Sequence, residues 1–80
     1  MTNEKTFTLT LSQDELADIE EALRHRAERA HNHADAILAD ETKPGEVRAS
    51  LARARRQCGN RLSTIANRVN AARKALWSRA

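Results

Sequence analysis

Two runs of apolar residues spaced three and four apart, save the adjacent pair that ends the first, and broken once between Asp40 and Gly45, constrain this chain more than any other feature. The first is Leu16, Ile19, Leu23, Ala27, Ala30, Ala34, Ile37 and Leu38. The second is Val47, Leu51, Ala54, Cys58, Leu62, Ile65, Val69, Ala72 and Leu76. Residues three and four apart share one face of an α-helix, so each run is an amphipathic stripe. The second run keeps its phase through Gly59, which predicts one helix over about 45–78, with Gly59-Asn60 as the place for a bend.

The start of the first helix is written locally. Ser12-Gln13-Asp14-Glu15 has the form of a capping box, in which Ser12 accepts from the Glu15 amide while Glu15 reaches back to the Ser12 amide. Leu11 and Leu16 flank it as a hydrophobic staple, and Asp14 and Glu15 suit the positive end of the helix dipole. The first helix is therefore expected over about 13–39. In the break, Thr42 is a candidate cap for the second helix and Pro44 is tolerated in a first turn. A connection this short makes antiparallel neighbours, with Ala39 near Gly45 and Leu16 near Val69.

Upstream, Phe7, Leu9 and Leu11 alternate with Thr6, Thr8 and Thr10, the period of a half-buried strand over about 5–11. A lone strand cannot satisfy its own backbone, so this one is expected to pair with a second copy or with a partner's sheet edge. The second helix outlasts the first, which sets its tail beside the strand and makes Phe7 and Trp77 an expected aromatic anchor.

Size bears on assembly. Of the 32 apolar residues 15 are alanine, and a core so thin in an 80-residue chain argues that more surface is covered by self-association. The expected fold is all-α: an antiparallel two-helix hairpin with a short N-terminal strand, dimerising into a four-helix bundle. The chain reads as one domain over 1–80, with a strand arm at 1–11, an acidic helical segment at 12–41 and a basic one at 42–80. Residues 1–42 carry four basic and ten acidic side chains, whereas residues 43–80 carry ten basic and one acidic. That asymmetry is the main electrostatic feature.

Candidate chemistry is sparse. His25, His31 and His33 project in three directions on one helix and do not converge on an ion. Glu28-x-x-His31 has the spacing of di-iron bundles, but the second helix offers no acid after Glu46 to complete such a site. Cys58 falls in the apolar stripe and reads as a buried small hydrophobe. There is no glycine-rich phosphate loop and no triad-like arrangement. The expectation is a non-enzyme without cofactor, metal or small-molecule substrate. A single cysteine and the absence of an apolar run of membrane length lead to an expected cytoplasmic, soluble setting.

Most arginines of the second helix flank its stripe, where interhelical ion pairs form. Arg53, Arg56 and Lys74 point away and are the candidate contacts for a polyanion or a protein partner. A strand followed by a capped helix, with Thr6, Thr8 and Thr10 on one side, resembles the N-terminal part of the ribbon-helix-helix repressors over residues 5–27. In that family paired strands enter the major groove, which would imply a nucleic-acid-binding regulator. Residues 28–39 depart from the pattern by continuing the helical stripe where a glycine-containing turn is expected. The leading expectation is a small protein–protein interaction module of the kind phages and mobile elements encode: an inhibitor, adaptor or regulatory subunit. Nucleic-acid binding is the second choice.

Overall fold

A computed structural model of the chain describes residues 5, 6 and 8–78. It contains two helices, α1 (Gln13–Ala39) and α2 (Gly45–Ser78), packed as an antiparallel hairpin with extents of 54 × 31 × 15 Å. Both helices have the bounds their apolar periods imply, and α2 runs through Gly59 without interruption. No described helix is long and apolar enough to cross a membrane.

The ends of α1 are held as its sequence specifies. The Ser12 hydroxyl accepts from the Glu15 amide at 3.1 Å, and the Ser12 amide donates to Glu15 Oε1 at 2.9 Å. At the other end the Asp40 amide donates to the Ile37 carbonyl, and Arg48 Nη1 reaches across from α2 to the Leu38 carbonyl at 2.9 Å. Thr42 does not cap α2. Its amide and hydroxyl both donate to the Asp40 carboxylate, which stabilises the turn instead.

The expected N-terminal strand is not formed among the described residues, where Lys5, Thr6 and Thr8–Leu11 have no regular structure. The alternation of threonine with Phe7, Leu9 and Leu11 defines two faces, but a strand needs a neighbour to exchange backbone hydrogen bonds, and a two-helix chain supplies none. Leu9, Thr10 and Leu11 instead lie in a cleft with Leu16, Ala72, Ala75 and Leu76, so the segment does meet the tail of α2. The pairing of Phe7 with Trp77 falls outside the described residues at Phe7, and Trp77 itself is 70% exposed.

The register also differs from a flush pairing. Glu20 meets Asn70 and Arg73, Arg24 meets Asn67, and Asp35 meets Arg56. Leu16 consequently shares its cleft with Ala72 and Leu76 rather than lying at Val69. Nearly two turns of α2 extend past the end of α1, and Val47 is left half exposed.

The face of α2 that packs is the larger departure. On α1 the stripe does turn inward, with Leu16, Ala27, Ala30 and Ala34 buried and Leu23 and Ile37 half-buried. On α2 the buried residues are Ala52, Gly59 and Ala66, seven apart, flanked by half-buried Arg48, Arg56, Ser63, Asn70 and Arg73. At ~100° per residue this seam lies roughly 100° around the helix from the centre of the apolar stripe. Leu62 and Val69 on the edge of the stripe are half-buried, and the rest stays open to solvent: Val47 is 44% exposed, Leu51 42%, Ile65 36% and Leu76 40%. Small side chains explain the choice, because they let two backbones approach and bring each helix against the other's main chain. At Gly59 the approach is so close that a Cβ would lie 2.6 Å from His31 Nε2.

Candidate protein-docking face

The two sides of the hairpin seam carry different chemistry. One holds a polar network around Glu20, which is buried despite its charge. Arg24 Nε donates to Glu20 Oε2 at 2.9 Å, and Asn70 Nδ2 donates to both carboxylate oxygens at 3.2 and 3.3 Å. Arg73 Nη2 lies 3.2 Å from Oε1, and Arg24 also donates to Asn67 Oδ1. The Asn70 amide, followed by Arg24 and Arg73, holds the Glu20 carboxyl below the usual carboxylate range. Further along the same side Arg56 pairs with Asp35. These groups tie the helices together and fix their register.

The other side is the apolar stripe of α2 and the groove beside it. Arg26, Arg29, Ala30 and His33 of α1 line this groove with Arg55, Cys58 and Leu62 of α2. No carboxylate lines it. Towards the open end the face continues through Ile19, Ile65, Val69 and Leu76 to the cleft that holds Leu9–Leu11. The result is an apolar ridge about 25 residues long, or ~38 Å at the helical rise, bordered by arginine.

Several candidates read from the sequence change their meaning here. Cys58 is exposed in the groove rather than buried, because the stripe it belongs to is not the packing face. Of the three cations expected to point away, Arg56 is half-buried and paired with Asp35, while Arg53 and Lys74 are exposed and stand apart along α2. Thr6, Thr8, Leu9 and Thr10 are exposed, and Leu11 is half-buried. The histidines are separated: His31 packs on Gly59, His33 lines the groove, and His25 lies beside Asp18 and Glu21. Sequence reasoning missed Arg26 and Arg29 as site residues. Their spacing of three and their position beside the α1 stripe were visible, but the groove exists only once the seam is known.

Neither a protein-family model, nor a curated protein, nor a solved structure matches this chain. The class to which the fold assigns it is a two-helix antiparallel hairpin with one helix face uncovered.

Proposed function

We propose that the protein is a non-enzymatic interaction module that acts by binding another protein through the open stripe of α2. The observation that carries this reading is the row Leu51, Ile65 and Leu76, large apolar side chains left over a third exposed on a helix whose packing seam lies elsewhere. The accessible surface of 6754 Å² compares with about 4,900 Å² for a compact monomer of 9.0 kDa. Part of that difference is the elongated shape of a 54 × 31 × 15 Å hairpin, in which two helices cover only one face of each other. Leu9–Leu11 extend the same face at the tail of α2.

The same surplus of surface favours a second reading, self-association of two hairpins into a four-helix bundle. Nucleic-acid binding by Arg53, Arg56 and Lys74 has less support, since Arg56 is already paired with Asp35. Paired pull-downs from source cells, with wild-type chain and Ile65→Asp as baits, separate these readings. A protein retained by the first bait and lost from the second supports docking through the stripe. Identical captures refute it. Sedimentation at two concentrations tests the bundle: a mass independent of concentration and equal to one chain excludes it.

A further inference from the structure

We infer that the occupant of this face is an acidic amphipathic helix of a partner protein, its apolar side on the α2 stripe and its carboxylates on the bordering arginines. The inference deepens the docking reading and rests on it. Three observations single out this occupant.

The first is unsatisfied charge. Among the described residues the ion pairs are Arg24–Glu20, Arg73–Glu20 and Arg56–Asp35, all on the seam or the opposite side. Arg26, Arg29 and Arg55 border the groove without a carboxylate among its lining residues, and Arg61 and Arg68 flank the stripe on its outer edge. An apolar strip between rows of arginine is the complement of a helix with leucine-like residues at three-four spacing flanked by Glu or Asp. The second is length: a ridge of ~38 Å accommodates seven turns of helix.

The third is what this charge does to the rival occupants. A two-fold laying stripe on stripe about Leu62, which lies level with α1 near residues 28–29, brings the Arg26 and Arg29 border of one copy against the same border of the other. That arrangement sets like charges face to face, which opposes association. A nucleic acid would satisfy the arginines but would leave Leu51, Leu62 and Ile65 against phosphate, and no aromatic side chain lines the groove to stack a base.

The test uses the whole chain and three synthetic labelled peptides of about 24 residues, the length of the ridge in helical turns. One carries leucine at stripe spacing with flanking Glu, the second has Lys in place of Glu, and the third is a scramble of the first. Binding is read by fluorescence anisotropy, and occupancy of the groove by the rate at which a thiol reagent modifies Cys58, the only cysteine. The Glu peptide is expected to bind, to slow Cys58 modification, and to weaken as salt rises. The double charge reversal Arg26→Glu, Arg29→Glu, at two exposed positions away from the seam, should weaken it by about tenfold or more with unchanged helicity, and should improve the Lys peptide. Equal binding of the Glu and Lys peptides overturns the charge inference and keeps docking through the stripe. Failure of both, with Cys58 freely reactive, overturns docking itself. A DNA duplex that protects Cys58 in place of the peptide, or a dimer in which Cys58 is already protected, also overturns the proposal.

Discussion

Gly59 sits where α2 comes closest to α1, and it concentrates two opposing effects in one residue. Glycine inside a helix is disfavoured by about 1 kcal/mol relative to alanine. A Cβ at this position would stand 2.6 Å from His31 Nε2 and 2.9 Å from His31 Cδ2, so the imidazole must swing aside to admit it. Gly59→Ala alone should therefore yield less than the full propensity gain. In a His31→Ala background the obstruction is gone, and the same substitution should stabilise by about 1 kcal/mol. A double-mutant cycle by urea unfolding measures the difference, and additive effects would show that His31 does not restrain Gly59. A second residue-scale expectation concerns the capping box: Ser12→Ala removes an acceptor from the Glu15 amide and should cost about 1 kcal/mol by the same assay.

At the scale of the element, α2 has one face for α1 and another for something else, and substitutions distinguish them. Ala66 is fully buried in the seam, so Ala66→Leu must push the helices apart and should cost about 1–3 kcal/mol. Leu51→Gln and Ile65→Gln, on the stripe, should each cost about 1 kcal/mol or less, well under the ~2–5 kcal/mol of truncating a true core residue. Thermal unfolding of the isolated chain settles the ranking, and a larger loss at Ile65 than at Ala66 would return the stripe to the core. This is also where sequence and structure part. Helix existence, length and direction were legible, because the capping box, the three-four spacing and the Asp40–Gly45 break are local signals. The packing face was not. Counting large apolar residues points to Leu51, Leu62 and Ile65, whereas close backbone approach selects Ala52, Gly59 and Ala66, and alanine is spread too evenly over this chain to mark a seam. The exposure of Cys58 and the arginine border of the groove follow from that rotation and were hidden with it.

At the scale of the molecule, the hairpin's two joints and its middle depend on carboxylates. The Ser12 backbone amide, then its hydroxyl, hold Glu15 below its ordinary range at the start of α1. The Thr42 hydroxyl, then its amide, with Lys43 and Arg48 beyond, do the same for Asp40 at the turn. Asn70, with Arg24 and Arg73, does so for Glu20 between the helices. A carboxyl whose folded pKa is lowered binds protons more weakly than in the unfolded chain, so its stabilising effect is complete above the unfolded values near 4 and is lost as pH falls through the folded ones. Protonation also leaves the 14 Lys and Arg side chains without opposing charge, which adds self-repulsion to the same acid limb. The melting temperature should consequently be level around neutrality and fall steeply below about pH 4. Glu20→Gln keeps the shape of the side chain but cannot titrate, so it should lower stability at pH 7 and flatten the acid limb, the two curves drawing together as pH falls below the unfolded carboxylate range. Circular-dichroism melts of both chains from pH 7 to pH 3 make the comparison. Parallel curves over that range would mean that Glu20 does not couple the helices, and the register would then rest on the small-residue seam with the Arg56–Asp35 and Arg24–Asn67 contacts.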